Sequence, residues 1–207
     1  MLKQVQQPII DDKAMIAAYE KNGFAVVAGL FLAEELKDIE SHLRAHLQRH
    51  LSSAPHGDVV LEENAARSLR CLFKIHERDA YFATLMHDSR LLRLVRQLFK
   101  GADVVADGTM LIDKAPFATY EFPWHQDNGY TFVLPEHYLT IWIALNDVPI
   151  EAGCVWAAPG LHKSGTLLHT YVEPLGWEIF EDPPVTPIAA PIAAGGAVVF
   201  SSLTPHL

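Results

Sequence analysis

The sequence predicts a mainly β domain with helices at its N-terminal end. Two observations carry this. In the first hundred positions apolar residues recur at steps of three and four, the period of a helix face. After residue 100 the chain turns to Gly, Pro, aromatic and β-branched residues, grouped in short runs between turn signals. A sandwich or open barrel of short strands fits such a body.

Asp11 and Asp12 offer capping oxygens for a helix through Tyr19 to Asn22. Met15, Ile16 and Tyr19 share one of its faces, and Gly23 is its stop. Phe24–Val27 is a short apolar run and reads as a strand. A second helix is expected over about 33–51, with Leu36, Ile39, Leu43 and Leu47 inward. His42, His46 and His50 also step by four, and with no carboxylate suitably among them they read as a solvated face. Ser52–Gly57 reads as a loop and Leu69–Ile75 as a weakly alternating strand. A third helix over Asp88–Lys100 turns Leu91, Leu94, Val95 and Leu98 inward and ends at Gly101. Further strands are expected at Val104–Asp113, Tyr138–Asp147, Cys154–Ala158 and Ala197–Ser201. No internal repeat or linker appears, so residues 1–207 read as one domain, a helical lead-in over about 1–100 and a β body over about 101–207.

The chain has 207 residues, 50% hydrophobic and 20% charged, which suits a globular core and excludes a disordered tail. Two cysteines are too few for a secreted disulfide framework, so the cytoplasm is the expected compartment. The first residues lack the apolar core of a signal peptide, and no apolar run reaches the roughly 20 residues of a membrane helix. The net charge of −9 is unevenly spread. Residues 1–100 hold 14 Lys/Arg against 13 Asp/Glu, whereas residues 101–207 hold 2 against 12. An acidic half is a poor partner for phosphate backbones, which argues against nucleic acid, and it is compatible with a metal cation.

The informative stretch is Phe122-Pro123-Trp124-His125-Gln126-Asp127. On an extended strand, residues two apart share a face, so His125 and Asp127 can reach one ion together. Two imidazoles and one carboxylate make the facial triad of non-haem Fe(II) sites. With 11 His and 12 Asp, chance supplies roughly 0.6 His-x-Asp pairs, and the chain has two. His56-Gly57-Asp58 lies in a Pro/Ser/Gly loop. Only the His125 copy precedes a long apolar strand. Spacing alone fits a hydrogen-bonded pair in a turn equally well. Candidates for a third ligand are His137, His162, His169 and His206. His206 follows a turn, a strand and a bend, which places it at a strand end. His162 lies in a tight loop, where a histidine more often caps backbone. His137 and His169 read as surface residues.

Six segments stand in order along the chain: Thr109–Lys114, Trp124-His125-Gln126-Asp127, Trp142–Leu145, Glu151–Cys154, Ala158-Pro159-Gly160-Leu161-His162-Lys163, and Ala197–Phe200 ahead of His206. Taken together they resemble the phytanoyl-CoA dioxygenase family. The resemblance runs from about Phe24 to the last residue. It implies a double-stranded β-helix (a jelly-roll, cupin-like fold) with helices packed on one side. It implies Fe(II), 2-oxoglutarate and O₂ as the chemical partners, and hydroxylation of a small molecule with release of succinate and CO₂. It makes His125, Asp127 and His206 the iron ligands. It places Lys74, Met110 and Trp142 beside 2-oxoglutarate; by themselves these three read as a surface charge and core packing. Related halogenases vacate the carboxylate position, whereas Asp127 is present here.

One departure from the family pattern stands out. That pattern continues past the third ligand with a strand carrying an arginine, which clamps the far carboxylate of 2-oxoglutarate bidentately. This chain stops at Leu207, and no arginine follows Arg96. The expectation is a fragment whose β-helix lacks its last strand, with His206 poorly held and turnover low. Lys74, Lys114 and Lys163 are the stand-in cations by position. A cupin-type metal enzyme that does not use 2-oxoglutarate, and a non-catalytic binding domain, are the alternatives. Only the region of Arg67, Arg70, Arg90, Arg93 and Arg96 would welcome a CoA thioester, so a smaller or neutral substrate is expected.

Overall fold

The computed structural model describes residues 12–61, 69–114, 122–131, 133–173 and 176–207. They fall into two compact units. One comprises Met1–Leu36 and Tyr120–Leu207, the other Lys37–Thr119.

The first unit begins with helix α1 (Asp12–Asn22), which buries Met15 and Tyr19. Gly23 ends it with a positive φ, its amide donating to the Tyr19 carbonyl at 2.8 Å. Asp11, the other expected cap, lies outside the described residues. Strand β1 (Phe24–Val27) follows directly. It pairs antiparallel with a strand from the far end of the chain, Ala197–Ser201, so that Phe24 faces Phe200 and Val27 faces Ala197. That C-terminal strand is central: its other edge pairs with Leu139–Ile143, Val198 opposite Trp142 and Phe200 opposite Thr140. All five of its residues are buried, as a central strand reading Ala-Val-Val-Phe-Ser requires. Phe24, Ala144, Ala157, Ala190, Ile192, Val198 and Phe200 form the core, with Trp142, Val148 and Val155 packed against it.

The second unit holds a three-stranded antiparallel sheet and the remaining helices. Strand β2 (Val59–Leu61) pairs with β3 (Leu69–Phe73). Met110–Ile112 lies on the other side of β3, with Phe73 opposite Met110. Helix α2 (Ala33–His50) begins in the first unit and runs on into the second. Helix α3 (Ala80–Leu85) starts at Asp79, whose carboxylate accepts from the Tyr81 amide. Helix α4 (Ser89–Leu98) starts at Asp88 in the same way and buries Leu91, Leu94 and Leu98. It is the third expected helix, shifted by one or two residues at each end.

Several expectations need correction. The strand expected over Val104–Asp113 shrinks to β4 (Met110–Ile112), because pairing with β3 stops at Met110; Gly101–Gly108 is exposed and without regular structure. The strand expected over Tyr138–Asp147 is β5 (Leu139–Ile143), and the chain turns after it, with Val148 bridging to Ile192. The histidine face of α2 is not uniformly solvated. His46 is 1% exposed, with its Nδ1 3.4 Å from Asp79 Oδ2. Arg49 reaches the same carboxylate oxygen at 3.2 Å, and burial pushes the His46 imidazole below its usual value. A carboxylate is present after all, supplied by the start of α3 some 30 residues on. Four short strands had no separate expectation: β2, β7 (Thr170–Val172), β8 (Gly176–Glu178) and β9 (Ile188–Ala190). β9 pairs with β6 (Val155–Ala157), and β7 pairs with β8. Among the described residues no helix is long and apolar enough to cross a membrane.

Gly195 initiates β10 (Ala197–Ser201) with φ +82, and a Cβ there would overlap the Phe31 carbonyl oxygen. The Phe31 amide donates to the Gly195 carbonyl at 2.8 Å, so the two backbones cannot separate freely. Gly195→Ala is therefore expected to destabilise the fold by at least about 2 kcal/mol, combining left-handed strain with backbone overlap. Urea unfolding of wild type and variant measures it, and a midpoint unchanged within error would contradict the packing described.

Candidate metal centre

The stretch that carries His125 and Asp127 is short and irregular. His125 lies in an antiparallel bridge with His206. Each amide of the pair donates to the other's carbonyl, at 3.0 and 2.9 Å. After His125 the chain extends through Gln126 and enters a single 3₁₀ turn, Asp127–Gly129. On its other side, the segment around His206 bridges to Ala157, and Leu207 exchanges hydrogen bonds with Trp156 at 2.8 and 2.9 Å. Residues 206–207 thus lie between the His125 segment and β6. His206 is only 7% exposed. The expectation that it would be poorly held is not met.

These pairings bring His125, Asp127 and His206 together, with one ligand atom from each lying within 4.8 Å of the others. His125 Nε2 is 3.7 Å and His206 Nε2 is 3.6 Å from Asp127 Oδ1. Each imidazole is oriented by the carbonyl two residues before it. His125 Nδ1 donates to Pro123 at 2.8 Å, and His206 Nδ1 donates to Thr204 at 2.9 Å. That fixes both tautomers and leaves both Nε2 lone pairs facing the common point. The Thr140 hydroxyl, on β5, donates to Asp127 Oδ2 at 2.5 Å, which leaves Oδ1 turned toward the histidines. Burial, and then the neighbouring His206, push His125 down to about 4, so its imidazole is neutral at physiological pH. Two imidazoles and a carboxylate, each with its outer atom already engaged and its inner atom turned to the common point, suit a divalent transition metal.

The floor of the site is continuous with the core. The Phe200 and His206 rings lie 4.4 Å apart, and the Tyr130 ring meets His125 edge-on at 5.3 Å. Trp142 lies two residues from Thr140 on β5 and therefore shares its face. Trp142 is part of the packing around the core. Lys74 and Met110 belong to the second unit. They are neighbours there, since the Lys74 amide donates to the Thr109 carbonyl at 2.8 Å. Lys74 has a left-handed backbone (φ 56), and its amine lies 3.6 Å from Asp58. Met110 is half exposed.

The other candidates part ways. Asp58 of the second His-x-Asp pair is taken by Arg78 and Lys74, and the Arg78 guanidinium holds its carboxyl below the usual range. His137 is exposed, as expected. His162 sits in the 3₁₀ turn Leu161–Ser164, as its loop setting suggests. His169, expected at the surface, is half-buried. It lies against the ligand turn, its Nε2 accepting from the Gln126 amide at 3.1 Å. Sequence patterning also passed over Gln126, Asn128 and Thr140. All three hold the site through contacts to distant segments, and only Gln126 lies within a recognised motif.

A two-histidine, one-carboxylate group on a β scaffold defines the class of mononuclear non-haem metal sites. Within it, the chain belongs to the phytanoyl-CoA dioxygenase (PhyH) family, whose family model matches residues 19–207. It is 35% identical over 91 residues to a phytanoyl-CoA dioxygenase of Arabidopsis thaliana, covering 44% of this chain and 32% of that protein. It is 25% identical to an ectoine dioxygenase of Nocardia farcinica, covering 72% of this chain and 50% of that protein. The matched region thus spans between a third and a half of these relatives' length. Among solved structures, EvdO2 from Micromonospora carbonacea var. aurantiaca complexed with 2-oxoglutarate superposes with a TM-score of 0.67 at 21% identity, covering 93% of this chain and 82% of that one. EctD from S. alaskensis with bound Fe superposes with a TM-score of 0.74 at 21% identity, covering 93% and 69%. The fold is shared with these proteins.

The depressed His125 value sets a pH dependence for the metal-free protein. The unfolded imidazole takes a proton near 6.5, the folded one only near 4. The unfolded chain therefore binds more protons between these values. This contribution to stability is complete above about pH 6.5 and is lost as the pH falls toward 4. Wild type should lose on the order of 1–2 kcal/mol more than His125→Asn between pH 7 and 5. Parallel pH dependences in urea unfolding would place the buried proton elsewhere.

Proposed function

We propose that this chain is the catalytic domain of an Fe(II)- and 2-oxoglutarate-dependent dioxygenase that hydroxylates a small molecule. The observation that carries the reading is the convergence of His125 Nε2, His206 Nε2 and Asp127 Oδ1. These three atoms would hold the metal on one face and leave the opposite positions open. Bound there, iron would supply the reaction of O₂ with 2-oxoglutarate that yields succinate, CO₂ and the hydroxylated product. The protein's own part is orientation and exclusion of water. The Pro123 and Thr204 carbonyls fix the imidazoles, Thr140 fixes the carboxylate, and Phe200 with the core beneath it keeps one side of the site dry.

Finer assignments belong to the same proposal. The relatives' names and the matching structures support a double-stranded β-helix, with β10, β5, β6 and β9 among its strands. Lys74, Met110 and Trp142 are assigned to 2-oxoglutarate. The adjacency of Lys74 to the start of β4 favours the first two, and the face that Trp142 shares with Thr140 favours the third. Residues 122–207 contain eight Asp/Glu and one Lys, Lys163, which favours a neutral or cationic substrate over a polyanion. Cys71 and Cys154 are both buried and form no disulfide among the described residues, which suits a reducing compartment such as the cytoplasm.

The test is an anaerobic titration of 2-oxoglutarate into the Fe(II)-loaded chain, followed by visible absorption. A metal-to-ligand charge-transfer band is expected, absent in His125→Ala and in His206→Ala. Their Fe(II) affinities should fall by more than the roughly 10–100-fold that an outer-shell change costs. Fe(II) binding without a band would replace the reading with a metal enzyme that does not use 2-oxoglutarate. No binding of Fe(II) would replace it with a non-catalytic domain.

A further inference from the structure

The ligand turn has two sides. His125 and Asp127 point to the common site, whereas Gln126 and Asn128 point away from it and are buried, at 0% and 2% exposure. An apolar side chain would be the ordinary occupant of such a position. Gln126 instead uses its whole amide. Its Nε2 donates to the Gly165 carbonyl at 2.9 Å and to the Leu203 carbonyl at 2.7 Å. Its Oε1 accepts from the Leu167 amide at 2.8 Å. One side chain therefore joins the ligand turn to residues 165–167 and to residue 203, three positions before His206. Asn128 adds to both links. Its side chain donates to the Thr166 hydroxyl at 2.5 Å, and its amide donates to the Ser202 carbonyl at 3.1 Å.

His169 closes the arrangement from the same segment. Its Nδ1 donates to the Leu167 carbonyl at 2.9 Å, and its Nε2 accepts from the Gln126 amide. Both nitrogens of the ring are thus engaged. The ring lies flat on the turn at Gly129, where an added Cβ would overlap its Nε2, Cε1 and Cδ2 atoms. The backbone between the two ligands is held in this way because it cannot be held by a ladder. It is neither strand nor regular helix, and the Gln126 amide has no backbone acceptor.

We propose that Gln126 and His169 are positioning residues of the metal site, clamping the ligand turn from behind so that His125 and Asp127 deliver their donors to the point that His206 faces. This rests on the metal-binding role proposed above. The segment 165–169, which contributes no ligand, is by this inference part of the site. Its exposed neighbour Leu168 is not.

Co(II) binding to the full chain tests it, read by visible ligand-field absorption under anaerobic conditions, with thermal melting of each metal-free protein alongside. His169→Ala and Gly129→Ala should weaken Co(II) by about 10–100-fold, the range for an outer-shell partner. Each should also change the band shape of the saturated site. His169→Gln, which can place an amide oxygen near the lost Nε2 acceptor, should recover most of the affinity and the wild-type band shape. Gln126→Met should have the largest effect, and Leu168→Ser none. A purely structural role would lower melting temperatures and leave the saturated spectrum alone. If wild type binds Co(II) and His125→Ala does not, yet His169→Ala and Gly129→Ala keep wild-type affinity and spectrum, the positioning role is wrong and the metal site stands. If wild type does not bind Co(II), the metal site itself is wrong and this inference falls with it.

Discussion

The candidate site depends on one backbone contact, the reciprocal pairing of His125 with His206. The two residues are 81 positions apart in sequence. Antiparallel pairing sets residues directly opposite within about 5.5 Å of one another, Cα to Cα. Both side chains then leave the same side of the pair, and their rings come to rest 4.3 Å apart. Asp127, two residues from His125, has only to turn its carboxylate inward, and the 3₁₀ turn does that. What remains of the first unit serves to make this pairing possible. Strand β10 runs through its centre, flanked by β1 and β5, and delivers the chain through Ser202–Pro205 to His206. Backbone bridges hold His206 on both sides, to His125 and to Ala157.

A second constraint follows from burial. Two imidazoles and a carboxylate packed within 4.8 Å, beside Phe200, would repel or titrate away from the state a metal needs if their protons were free to choose. The carbonyls of Pro123 and Thr204 remove that freedom. Each takes the Nδ1 proton, and Nε2 can then only be a lone pair as long as the ring is neutral. Burial keeps His125 neutral. The same two features make the site ready for a cation.

The parts of this architecture set by local periodicity were legible in the sequence. Helix α1 with its glycine stop, helix α4 with its inward leucines Leu91, Leu94 and Leu98, and β10 with its apolar run all read correctly, because each is decided by residues within a few positions. The His-x-Asp spacing was legible too, and the resemblance to the family pointed to His206, which the structure brings beside that pair. The misses share a cause. His46 read as solvated because Asp79, its partner, lies 33 positions away. Val104–Asp113 read as a strand because β-branched residues occur there, yet β3 offers a partner only from Met110 onward. His169 read as a surface residue because its contact, the Gln126 amide, lies 43 positions away. Short strands such as β7, β8 and β9 hold three residues each, too few for a period to show.

The buried polar group behind the ligands shows why such residues escape pattern reading and why they are tolerated. A primary amide removed from water costs stability unless nearly all its hydrogen bonds are remade. Gln126 remakes three, two with the segment 165–167 and one with Leu203. Its network is therefore close to all-or-none: losing the side chain would orphan the Gly165 and Leu203 carbonyls and the Leu167 amide together. An apolar core is more forgiving and so less exacting about position. Metal ligands need their donors placed to within about 0.5 Å, and regular secondary structure usually supplies that. Between His125 and Asp127 it does not, because the strand has ended and the turn has begun. The directional demands of a satisfied amide take its place, and this accounts for a glutamine, rather than a leucine, at the most buried position of the ligand turn.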